Sequence, residues 1–181
     1  MTNLSKLKTA GAAMALLLSL AALPAQAGSS TGTIGVSMNV SAACLVNGGS
    51  QSSGSLGQLG SIAFPDQSGV VGTVDASLVP SAGSGGISVL CTPGLTPSLT
   101  VGAGAHDSGA VRNLASNSNT VAYRLYSDAG RSSEITIGHA ISLGTATSSA
   151  INVPIFGRIT GGGASLTAGS YTDTVQVTLA W

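Results

Sequence analysis

Thr33-Ile34-Gly35-Val36-Ser37-Met38-Asn39-Val40-Ser41 carries an apolar side chain at every second position. That is the period of a half-buried β-strand, with Ile34, Val36, Met38 and Val40 on one face and small or polar residues on the other. A strand of this kind can pair within its own domain or with another molecule. The fold is closed or open according to which it does.

The residues before it read as an export signal, residues 1–27. Lys6 and Lys8 form a basic start, residues 10–23 an apolar core, and Ala25-Gln26-Ala27 a small-x-small cleavage site. The apolar run of 14 residues is shorter than a membrane span needs. The exported chain is therefore expected to begin at Gly28 and to keep 154 residues, the size of one domain with a proper core. Both lysines go with the signal. Arg112, Arg124, Arg131 and Arg158 then face Asp66, Asp75, Asp107, Asp128, Asp173 and Glu134, a net charge of −2. Without a basic patch, recognition of nucleic acid or anionic lipid is not expected.

Two cysteines, Cys44 and Cys91, remain with 46 residues between them. In an oxidising compartment an isolated pair most often forms one disulfide. Two buried free thiols are the alternative. A metal site is not expected, because there is no C-x-x-C and His106 and His139 lie far apart in sequence.

Further along, no long helical period appears, and Gly, Ser, Thr and Asn interrupt the chain every few residues. The runs between these breaks predict strands over residues 61–64, 87–91, 98–101, 121–127, 134–137, 152–159 and 171–181. Pro154 inside one run predicts an edge, a bulge or a switch between sheets. Residues 47–60 and 79–86 read as loops, and 161–163 as a flexible turn. Many short strands with frequent turns predict an antiparallel β-sandwich. The last run alternates Tyr171, Asp173, Val175, Val177, Leu179 and Trp181 on one face. Chain ends fray unless tied down, so a strand reaching residue 181 needs a partner.

Enzyme chemistry finds no foothold: the sequence has no G-x-S-x-G, Walker loop, H-E-x-x-H or G-x-G-x-x-G opening a helix. No catalytic residue, metal or cofactor is assigned, and the chain is expected not to be an enzyme. His106-Asp107, the only adjacent His and carboxylate, reads as a polar turn rather than half of a triad. A calcium site at Asp128 and Asp173 lacks the D-x-D-x-D-G run. The aromatics fall in strand patterns and read as core. Arg124 and Arg131 read as exposed surface charge.

Taken together, these residues resemble the spore coat protein U family, and within it the secreted subunits of archaic, Csu-type chaperone-usher pili. The resemblance spans residues 32–181. It rests on the opening 31–41 segment leading to Cys44-Leu45-Val46, on Ile87-Ser88-Val89-Leu90-Cys91, on Val121-Ala122-Tyr123-Arg124-Leu125-Tyr126-Ser127-Asp128, on Val153-Pro154-Ile155-Phe156-Gly157-Arg158-Ile159, and on the closing 169–179 stretch. The terminal Trp181 departs from it, since a smaller aromatic is expected there.

The resemblance implies an incomplete immunoglobulin-like antiparallel sandwich, completed by donor-strand exchange. Residues 28–41 would be the N-terminal donor strand and 42–181 the pilin body. Ile34, Val36, Met38 and Val40 would plug a groove bordered by Tyr171, Val175, Val177, Leu179 and Trp181. Cys44 and Cys91 would fasten the first body strand beside the donor's exit. The implied partners are a periplasmic chaperone, an outer-membrane usher and identical or related pilus subunits joined head to tail. The implied product is an extracellular pilus for adhesion and biofilm formation. A spore-coat or matrix surface protein of the same fold, and a minor or adhesive pilus subunit, are the alternatives.

Overall fold

A computed structural model describes residues 27–51 and 54–181. The chain divides into two compact units, Met1–Met38 and Asn39–Trp181, and the signal segment lies outside the described residues apart from Ala27. In the first unit, residues 27–38 form no strand and are exposed.

The second unit is all-β, and every ladder in it is antiparallel, as the sequence predicts. Its strands are β1 (Cys44–Val46), β2 (Gly49–Gln51), β3 (Gly60–Ile62), β4 (Val70–Pro80), β5 (Ile87–Cys91), β6 (Ser98–Val101), β7 (Arg112–Ser116), β8 (Asn119–Tyr126), β9 (Ala140–Ser142), β10 (Ile151–Val153), β11 (Phe156–Ser165) and β12 (Val177–Ala180). They assemble into three sheets, ordered β10-β5-β1-β2, β3-β4-β11-β8-β7 and β12-β6-β9. Alternate residues turn inward from all three and pack into one core, in which Ile87, Val89, Leu99 and Val101 are at most 1% exposed.

Cys44 and Cys91 oppose each other directly on the β1–β5 ladder and are joined by a disulfide. Pro154 does switch the chain between sheets. β10 ends at Val153 on β5, and β11 starts at Phe156 between β4 and β8. Proline has no N–H to continue a ladder, so the break falls where continuing would need one.

Several sequence expectations are corrected. Within residues 47–60, Asn47 and Gly48, at φ 48° and 82°, form a two-residue turn joining β1 to β2, with Val46 paired to Gly49. Positive φ at both central residues is the type I′ requirement that Asn-Gly meets at low cost. Residues 79 and 80 belong to β4 rather than to a loop. Gly161-Gly162-Gly163 lies inside β11, at a register shift between Thr160 and Ala164. A side chain on Gly161 would run into the Val71 carbonyl oxygen, so glycine allows the two strands to stay close there. Residues 134–137 make one bridge, Tyr126 to Glu134, instead of a strand. The Ile135 carbonyl is occupied by Arg112, whose Nη1 donates to it at 2.8 Å. The final run is a strand only at β12, preceded by a bridge from Thr172 to Ala115. β4, β7 and β9 were not anticipated.

Candidate functional site: a groove with an apolar floor beside the last strand

Among the described residues, β12 pairs with β6 along one edge only and is the outer strand of its sheet. Gly102 N donates to Gln176 O at 2.8 Å, just before the β12–β6 ladder in which Thr178 faces Thr100 and Ala180 faces Ser98. In an antiparallel ladder the bonded residues alternate, so Gln176, Thr178 and Ala180 spend their main-chain groups on the β6 side. The N–H and C=O groups of Val177 and Leu179 point to the opposite, unpaired edge.

That edge borders an open groove of about 1070 Å³. One wall is the stretch from Asp173 through Leu179, with Trp181 beyond it. The other is the 54–59 segment and β3, itself the outer strand of its sheet. Between the walls the floor is apolar: Ile62, Leu78 and Leu125 reach it from the five-stranded sheet, Phe64 from just after β3, Ile155 from the switch between β10 and β11, and Ile87 and Val101 from the other two sheets. Two outer strands flanking uncovered core is the arrangement left when a sandwich is one strand short.

Each wall is held by one polar side chain. Asp173 has a side chain only 2% exposed. Its Oδ1 accepts from the amides of Ala105 at 2.9 Å and His106 at 3.2 Å, and its Oδ2 from the Tyr123 hydroxyl at 2.7 Å. His106 Nδ1 lies 3.2 Å from the same carboxylate. A buried carboxylate is stable only with such a set of donors. Burial, then the bond to Asp173 and its charge, push the Tyr123 phenol far above its ordinary range. On the far wall, Asn47 Nδ2 donates to Leu59 O at 2.9 Å and to Ser81 Oγ at 3.1 Å, while its Oδ1 accepts from Ser88 N at 3.0 Å. The turn residue thus ties the groove-wall segment to β5 and to the end of β4.

Val175, Val177, Leu179 and Trp181 line the groove, with Trp181 37% exposed. Tyr171 does not: its hydroxyl donates to Thr167 O at 2.9 Å. Ile34, Val36, Met38 and Val40 are 90%, 91%, 84% and 72% exposed, and no strand is formed over residues 28–41. His106 faces Asp173 rather than its neighbour Asp107. Arg124 is an exposed charge paired with Glu134 at 2.7 Å. Arg131 is not exposed as expected; its side chain is 14% exposed, beside Asp75 and over the Phe156 ring. Sequence reading did not find the floor residues or the roles of Asn47 and Asp173. Only Asn47-Gly48 carried a readable signal, as a hairpin turn.

The family described as the Spore Coat Protein U domain matches residues 30–178. No curated protein matches the chain. Among the solved structures that match is a chain from a chaperone–tip adhesin complex in CFA/I fimbriae biogenesis, at 18% identity and a TM-score of 0.37 over 68% of this chain. This chain spans 39% of that one, and a likeness at that level carries no argument about function.

Proposed function

The chain belongs to the Spore Coat Protein U domain family, and from that premise we propose that it is an exported structural subunit that polymerises by donor-strand exchange. Residues 33–41 of one copy fill the groove of the next. The observation that carries this is the presence in one chain of two complementary halves: an exposed segment alternating Ile34, Val36, Met38 and Val40, and a groove with an apolar floor whose bordering strand has an unpaired edge.

The physics of that joint is β-strand addition, in which main-chain bonds supply affinity and alternate side chains supply fit. Burying the four apolar side chains contributes on the order of 6 to 12 kcal/mol before ordering costs are subtracted. Residues 28–41 span about 46 Å when extended, against a body radius of gyration near ~15 Å, so the segment can reach a second copy. Donor and acceptor surfaces differ, so each joint leaves a free groove and a free segment, and the assembly grows as a fibre rather than closing as a pair.

An uncovered groove is an aggregation hazard at the concentrations of export, so a periplasmic chaperone occupies it first and an outer-membrane usher exchanges it for the next subunit. The product is a cell-surface pilus serving adhesion and biofilm formation. Deleting residues 28–41 while co-producing the chaperone tests the reading. The expected product is a chaperone complex without polymers, and polymers that persist would overturn it.

A further inference from the structure

On the core-facing side of β11, Gly157 sits between Ile155 and Ile159, which are 5% and 4% exposed. Its ladder partners are Ala76 on β4 and Leu125 on β8. The two smallest residues of that layer, Ala76 and Gly157, therefore stand side by side and leave a hollow. Phe64 fills it. A Cβ placed on Gly157 would lie 2.8 Å from Phe64 Cζ and 3.1 Å from Ile62 Cγ2. The Phe64 ring then meets Tyr123 edge-on, with centroids 6.5 Å apart, and Phe64, Ile62 and Tyr123 all line the groove.

We infer that Gly157 is a specificity-determining residue of the donor groove, setting its depth over Phe64 and hence the size of the donor side chain that can be seated there. This rests on the donor-strand reading of the groove. The glycine is not required by its backbone, since Gly157 is not among the positive-φ residues. The first obstacle to a Cβ is the far end of one side chain, the Phe64 ring tip, which can swing away without unfolding the sheet. The direction open to it is the groove. An alanine at 157 thus raises the floor while leaving the ladders intact. The occupant is the 33–41 segment of a second copy, whose four alternating apolar side chains match the apolar floor and the unpaired edge of β12 in kind.

The test uses the full exported chain carrying Val36→Asp, which disables its own donor segment and leaves the groove free to bind a fluorescent peptide of residues 28–41. Gly157→Ala in this chain is expected to weaken peptide binding by about tenfold or more, the scale of forcing one added methyl into a packed site. Thermal unfolding should stay two-state with the disulfide intact. Peptides shortened to alanine at Ile34, Val36, Met38 or Val40, one at a time, are expected to show relief at a single position, the one seated over Phe64. The double variant Gly157→Ala with Phe64→Leu should regain binding, because the shorter side chain clears the new Cβ; it also serves if the single variant does not fold. Equal binding by Gly157→Ala, or no recovery with any shortened peptide and with the double variant, overturns the inference while leaving strand addition standing. Failure of the unaltered peptide to bind the Val36→Asp chain at all overturns the donor-strand reading itself, and this inference with it.

Discussion

The Tyr123 hydroxyl donates to Asp173 Oδ2 at 2.7 Å, joining β8 beneath the groove to the start of the wall segment that leads into β12. Burial, then that bond and the carboxylate's charge, hold the phenol protonated far above its ordinary range. The sign of the effect on stability follows. A tyrosine in the unfolded chain ionises near pH ~10, while this one resists ionisation when folded, so its contribution is complete below that pH and is lost as pH rises beyond it. Tyr123→Phe should flatten the alkaline fall in stability above pH ~10 and cost about 1 kcal/mol at neutral pH. Urea unfolding between neutral and alkaline pH measures both; an unchanged alkaline slope would contradict the assignment.

Cys44 and Cys91 close a loop of sequence separation 47 across the β1–β5 ladder. On the chain-entropy model the cross-link stabilises the fold by about 4 kcal/mol. Replacing both residues with serine should lower the unfolding free energy by roughly that amount and make it insensitive to reductant, whereas the parent chain should lose the same stability when reduced.

How far the fold could be read from sequence varied with how cleanly each strand separates its two faces. β5 and β6 alternate strictly, sit between glycines and prolines, and were placed to the residue. β4 has the burial sequence of a strand that crosses from one environment to another, with Val70 and Val79 exposed and Val71 and Val74 buried, so its alternation is broken. Residues 134–137 have a strand's composition, but Arg112 occupies the carbonyl of Ile135, a tertiary fact no local pattern contains. The groove is harder still, because it is defined by a strand that is missing. Alternation showed that residues 33–41 and 171–181 each had one mainly apolar face. That the second borders a groove came from the family resemblance, and the floor residues Phe64, Leu78 and Ile155 gave no sign of it in sequence.

Asn47 combines two duties that substitution can separate. Its φ of 48° serves the hairpin turn, and its amide bonds Leu59 O, Ser81 Oγ and Ser88 N. Asn47→Gly keeps the first and removes the second. It should cost about 1–3 kcal/mol in urea unfolding, the range for a part-buried polar network left without its partner. Amide hydrogen exchange should quicken over residues 54–62 before it does over β5. Uniform acceleration across the domain would show that Asn47 does not specifically secure that wall.

The central claim is that the segment of one copy completes the groove of another, and mixing two disabled chains measures it most directly. Val36→Asp places an unpaired charge in the donor face and leaves the groove open. A second chain, carrying a further copy of residues 33–41 joined by a flexible linker after Trp181, has its groove filled and its N-terminal segment free. Light scattering on a sizing column should find each alone as a monomer and the equimolar mixture as a one-to-one pair that grows no further. A mixture that stays monomeric, or a Val36→Asp chain that forms fibres by itself, would contradict the account.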